Sequence, residues 1–163
     1  MKKLYVAYGS NLNKYQMRYR CPNAVPFTTG ILEDYELLFK GSKTGSYATV
    51  EPCKGASVPV ALWTINESDE RSLDRYEGFP TFYYKKDVTV RTTNGNVKAM
   101  VYIMHEDRPL GIPSEHYVDV CLEGYDDFDL NKMEFYDALF TTAAKLGLHD
   151  DGPDSSYDYG EDF

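Results

Sequence analysis

Tyr5-Val6-Ala7-Tyr8-Gly9-Ser10-Asn11-Leu12, read as YVAYGSNL, is a short apolar run that breaks abruptly into glycine, serine and asparagine. The pattern predicts a buried strand from Lys3 to Tyr8, a tight turn, and a helix from Leu12 to Arg20. Gly9 admits positive φ and the close approach of a ligand, while Ser10 and Asn11 are strong N-cap residues. Such a junction leaves several unpaired N–H groups aimed at one small volume, suited to a carboxylate or a developing oxyanion. A capped connection that binds nothing has the same local pattern. The turn alone leaves both readings open.

Cys21-Pro22 ends that first helix, because proline cannot continue it. Tyr35 to Phe39, Tyr47 to Val50 and Val58 to Ile65 read as short strands separated by glycine, proline and serine. A helix then opens at Asn66-Glu67-Ser68-Asp69-Glu70, with cap candidates and acids in its first turn, and runs to about Tyr76 before Gly78 and Pro80. Tyr83 to Arg91 and Val97 to Met104 flank Asn94-Gly95, a strong hairpin signal. Pro113-Ser114 starts a helix to about Glu123, and a second runs from Asn131 to about Leu146. The whole predicts an α+β fold, a small mixed β-barrel or curved sheet flanked by helices. Residues 1–148 are expected to form a single domain, helical from about 113. Residues 149–163, rich in Asp, Gly and Ser, read as an acidic, flexible tail.

Composition excludes several functions. The 163-residue chain carries a net charge of -9, which disfavours nucleic acid and anionic membranes as partners. No apolar stretch approaches the roughly 20 residues that span a bilayer, and the first residues lack a signal-peptide core. A cytoplasmic location is the expectation. Cys21, Cys53 and Cys121 are odd in number and widely spaced, and His105, His116 and His149 show no ligand spacing, so no metal or other cofactor is expected. No GxxxxGK[ST] loop is present, and Ser10 has no local histidine or aspartate for a triad. Arg18, Arg20 and Arg75 lie where arginines are commonly solvated or ion-paired.

Glu77 is the second candidate for chemistry. It falls where a helix should end, directly before Gly78, an unfavourable position for a carboxylate beside the negative end of the helix dipole. Burial among Tyr76, Phe79 and Phe82 would raise its pKa and make it a general acid or base near neutral pH. A solvated surface glutamate is the competing reading.

Taken together, these segments resemble the γ-glutamylcyclotransferase-like superfamily, which includes γ-glutamylcyclotransferases, γ-glutamylamine cyclotransferases and the plant avirulence-induced-gene proteins. The resemblance covers about Lys3 to Met104 and is carried by YVAYGSNL, Ala48-Thr49-Val50-Glu51-Pro52, Leu62-Trp63-Thr64-Ile65, and Leu73-Asp74-Arg75-Tyr76-Glu77-Gly78 with Tyr83. It implies a small β-barrel flanked by helices, with one pocket at the barrel mouth. By resemblance, Glu77 is the catalytic acid, and Tyr5, Val6, Ala7, Tyr8, Gly9, Ser10, Asn11 and Leu12 form the substrate-binding segment. Tyr83, six residues after the acid, contacts substrate, with Tyr84 as the neighbour if the register slips. The implied reaction is attack of the α-amine of a γ-glutamyl substrate on its own γ-carbonyl, giving 5-oxoproline and a free amine or amino acid. A binding module that holds a small acid without turnover is the alternative on the same fold. Beyond Met104, Gly111-Ile112-Pro113-Ser114 and the two later helices resemble bacterial members whose substrates are often unassigned.

Overall fold

The computed structural model describes residues 2–42 and 44–147; the expected acidic tail and His149 lie outside them. Over the described residues the fold is α+β, a closed five-stranded barrel with four α-helices. β1 (Lys3–Ala7) leads through a 3-10 turn (Ser10–Leu12) into α1 (Lys14–Arg20). β2 (Val25–Ser42), β3 (Gly45–Ile65), α2 (Glu67–Glu77), β4 (Tyr83–Thr92), β5 (Gly95–Met104), α3 (Glu115–Asp127) and α4 (Lys132–Leu146) follow. The strand order is β1-β3-β2-β4-β5. β1 pairs antiparallel with β3 from Lys3 opposite Ile65 to Ala7 opposite Ala61, and closes the barrel by pairing parallel with β5, Tyr5 opposite Met100.

The three short strands expected between Tyr35 and Ile65 are parts of one long hairpin, β2 and β3. Residues that read as breaks are absorbed as irregularities in a continuous ladder. Its register shifts between Glu33 and Tyr35, where Asp34 takes φ 65° and its Oδ1 accepts a hydrogen bond from Gly55 N at 2.9 Å. The Asn94-Gly95 hairpin forms as predicted, with Thr92 opposite Gly95.

The first helix differs from expectation. Its N-cap is Asn13, whose side chain accepts from Gln16 N at 3.0 Å, and Ser10 and Asn11 instead form the preceding 3-10 turn. Asn13 also donates to Val120 O at 3.0 Å and Glu123 Oε1 at 2.7 Å, tying α1 to α3. The short turn puts Leu12 against α3 at Gly124, where an added Cβ would stand 2.6 Å from Leu12 Cβ. α4 covers β2: the Phe39 and Phe135 rings meet edge to face at 5.3 Å, and Phe39 N donates to Thr142 Oγ1 at 3.3 Å. Among the described residues, no helix is long and apolar enough to cross a membrane.

Candidate active site

A cavity of about 260 Å³ opens at the end of the barrel beside the turn after β1. Tyr5, Val6, Tyr8, Gly9, Ser10, Asn11, Glu77 and Tyr83 line it, so strand, turn, helix end and β4 meet there. Ala7 and Leu12, expected in the substrate-binding segment, do not. Both are buried in the core, Ala7 in the barrel wall opposite Ala61 and Leu12 against α3. Tyr83 faces the cavity, whereas the hydroxyl of Tyr84 donates to Glu106 Oε2 at 2.5 Å.

Gly9 has φ -129° and does not use the positive φ open to glycine. Space is what its missing side chain supplies: a Cβ would stand 3.0 Å from Tyr117 Oη and 3.1 Å from Ala48 Cβ. The hydrogen bonds of the 3-10 turn begin at Leu12 N to Gly9 O (3.1 Å) and Asn13 N to Ser10 O (3.0 Å). The amides of Gly9, Ser10 and Asn11 therefore precede the ladder, as the first donors of a helical turn must.

Glu77 is the last residue of α2, which starts at an Asn66 capping box and ends at Gly78 in the left-handed conformation, φ 67°. That ending stops the helix with the glutamate turned into the cavity. Glu77 as a residue is only partly buried, at a cavity that opens to solvent, yet protein surrounds its carboxyl. Burial is the main cause of a pKa pushed up to about 8, partly opposed by the Arg20 guanidinium. Asn11 Nδ2 approaches Glu77 Oε2 at 3.5 Å, the outer edge of hydrogen-bond range.

Phenols dominate the remaining wall. Tyr8 Oη donates to Tyr102 O at 2.7 Å, Tyr83 Oη to Ala48 O at 2.8 Å, and Tyr102 Oη to Asp74 Oδ1 at 2.5 Å. Tyr117 Oη accepts from Ala48 N at 3.0 Å, and Ser10 Oγ and Tyr76 Oη share a hydrogen bond of 3.1 Å. Burial holds Tyr5, Tyr8, Tyr83 and Tyr117 well above the ordinary phenol pKa, so they remain neutral hydrogen-bonding groups. Burial also pushes the Cys21 and Cys121 thiols up to about 12, which leaves neither a thiolate nucleophile at neutral pH.

Sequence reasoning missed Tyr47, Tyr102 and Tyr117 as lining residues. No local motif marks them among 15 tyrosines; β3, β5 and α3 deliver them only once the barrel closes.

The sequence pattern of the gamma-glutamyl cyclotransferase, AIG2-like family matches residues 5–119. The chain belongs to this family. The match runs past Met104 into α3 and takes in Tyr117. The chain is 38% identical over 132 residues to the gamma-glutamylcyclotransferase of Bos taurus, spanning 74% of this chain and 69% of that protein. It is 34% identical to the gamma-glutamylcyclotransferase of Homo sapiens over 132 residues, with the same two coverages, 74% and 69%. A solved gamma-glutamyl cyclotransferase structure shares the family fold with a TM-score of 0.77 at 30% identity, covering 86% of this chain and 87% of the other.

Proposed function

We propose that this chain catalyses the family's ring closure: the α-amine of a γ-glutamyl compound attacks its own γ-carbonyl, forming 5-oxoproline and releasing an amine or amino acid. The observation that carries the reading is one cavity shared by a buried carboxyl, Glu77, and the amides of the Gly9-Ser10-Asn11 turn, which have no hydrogen-bond partner among the described residues. Nucleophile and electrophile belong to one molecule, so holding the folded conformer does much of the work. Favourable alignment is worth about 7–11 kcal/mol.

The proton inventory fits a single acid–base group. A pKa pushed up to about 8 favours the protonated form of Glu77 at neutral pH; an ammonium bound beside it favours the carboxylate. Glu77 accepts one proton from the ammonium, and the freed lone pair forms the new C–N bond while the carbonyl oxygen takes the negative charge. Amides of the turn stabilise that oxyanion, a contribution of about 3–4 kcal/mol per donor in comparable sites. Glu77 then protonates the leaving nitrogen, the old C–N bond breaks, and the carbonyl re-forms. The second proton lost by the attacking nitrogen passes by the same carboxylate to the departing amine, so the enzyme ends as it began. Tyr5, Val6, Tyr8, Gly9, Ser10 and Tyr83 hold the substrate in this reading. Ala7 and Leu12 support that segment from the core. Thiol usage in the sequence supports a reducing, cytoplasmic setting.

Incubation with γ-glutamyl-alanine, γ-glutamyl-lysine and glutathione, followed by mass spectrometry, tests the reading. Release of 5-oxoproline from at least one is expected. Binding of 5-oxoproline or glutamate without release from any would favour the small-acid-binding module.

A further inference from the structure

Arg20 ends α1 outside the cavity lining, with its head group directed back at the turn. Nη1 donates to Asn11 Oδ1 at 2.5 Å and Nη2 to Gln16 Oε1 at 2.8 Å, while the guanidinium carbon lies 3.6 Å from the centroid of the Tyr76 ring. A guanidinium has only donors. The side of the Asn11 amide that faces it must therefore be the oxygen, which turns the nitrogen toward Tyr5 Oη at 2.8 Å and Glu77 Oε2 at 3.5 Å. Trp63 Nε1 fixes the backbone of Asn11 by donating to its carbonyl at 3.0 Å. Tyr5 Oη, already accepting from Asn11, directs its own hydrogen away from that amide, whereas Tyr8, Tyr83 and Tyr102 spend theirs on protein acceptors.

We propose that Arg20 is a positioning residue: through the Asn11 amide it orients the Tyr5 hydroxyl and Glu77 for the reaction, so that Asn11 serves the acid rather than the substrate. The inference rests on the cyclotransferase reading for its catalytic consequence and on the hydrogen-bond geometry for the relay itself. The titratable and charged groups facing Glu77 are Tyr5 from β1, Tyr8 from the segment just after it, Arg20 from α1, Tyr76 from α2, Tyr83 from β4 and Tyr117 from α3. Arg20 is the one cation in that set, and the phenols stay neutral across the range in which Glu77 titrates.

Carbon-13 NMR of protein labelled at glutamate carboxyls follows the Glu77 titration without turnover, its signal identified by its loss in Glu77→Gln. In Arg20→Gln the Glu77 midpoint should rise by about half to one pH unit, through loss of the cation and of the ordered amide. Asn11→Asp should raise it further by placing a like charge beside Glu77. Arg20→Lys keeps the charge without the planar fork. Its midpoint should stay near wild type while kcat for 5-oxoproline release falls about tenfold and KM changes little. Circular dichroism shows which variants fold, and Asn11→Asp and Arg20→Lys carry the test if Arg20→Gln does not. An unmoved midpoint in folded Arg20→Gln or Asn11→Asp, or wild-type kcat in Arg20→Lys, overturns the relay. A moved midpoint in a wild-type background that never forms 5-oxoproline would instead sustain the relay and overturn the cyclotransferase reading.

Discussion

Glu77 combines two properties that a surface carboxylate lacks: enclosure, which raises its pKa to about 8, and a cavity shared with turn amides that have no hydrogen-bond partner among the described residues. The first has a kinetic consequence. If Glu77 must be ionised to accept a proton, kcat/KM for 5-oxoproline formation rises with pH on a limb centred near 8, and a pH–rate profile checks this. The second consequence concerns stability. A carboxyl whose folded pKa exceeds its unfolded value contributes stability fully present below the unfolded pKa and lost as pH rises through the folded one. Between about pH 4.5 and about 8 the wild type therefore loses stability that Glu77→Gln, which does not titrate, retains. Allowing for water at the cavity mouth, Glu77→Gln should be more stable than wild type by about 2–4 kcal/mol at pH 8.5 and nearly equal to it at pH 4. Thermal denaturation at the two pH values measures the difference.

At the scale of elements, α2 is anchored at one end by Asn66 and aimed at the other by Gly78. Gly78→Ala forces a side chain into φ 67° and sets its Cβ 3.2 Å from Phe82 Cβ. It should cost about 1–2 kcal/mol and reduce kcat by displacing Glu77. Asn66→Ala should cost about 1 kcal/mol through the lost cap while leaving the activity of folded protein unchanged. Denaturant titration and initial rates on both variants separate aiming from anchoring. Elements also set how much was legible in the sequence. YVAYGSNL and the Glu77-Gly78 stop are contiguous, so their strand, turn and helix end could be read directly. The β2–β3 hairpin could not, because Asp34 and Gly55 carry the signs of loop residues and become a bulge only when hydrogen-bonded across the pair. Asn13 displaced Ser10 and Asn11 as the cap because it alone also reaches α3, a contact invisible in local sequence.

At the scale of the molecule, barrel closure makes the site. Tyr5 opposite Met100 brings β5 and its Tyr102 to the turn after β1, and α3 adds Tyr117 across Gly9. That convergence hid Tyr47, Tyr102 and Tyr117 from the sequence. Among the described lining residues there is no lysine, arginine or histidine, so substrate carboxylates depend on neutral donors, while the chain as a whole carries a net charge of -9. Association of an anionic γ-glutamyl amino acid is therefore opposed at long range. Raising ionic strength from about 0.01 M to about 0.15 M, which shortens the screening length from about 30 Å to about 8 Å, should increase its kcat/KM. Initial rates across a salt series check this.

Ring closure as proposed depends on Glu77 to move its protons. The most direct test is 5-oxoproline release by wild type and Glu77→Gln on the same γ-glutamyl substrate, with 5-oxoproline binding to both measured by calorimetry. Release should fall at least about a hundredfold in Glu77→Gln while 5-oxoproline still binds; release at the wild-type rate by a folded Glu77→Gln would contradict the assignment.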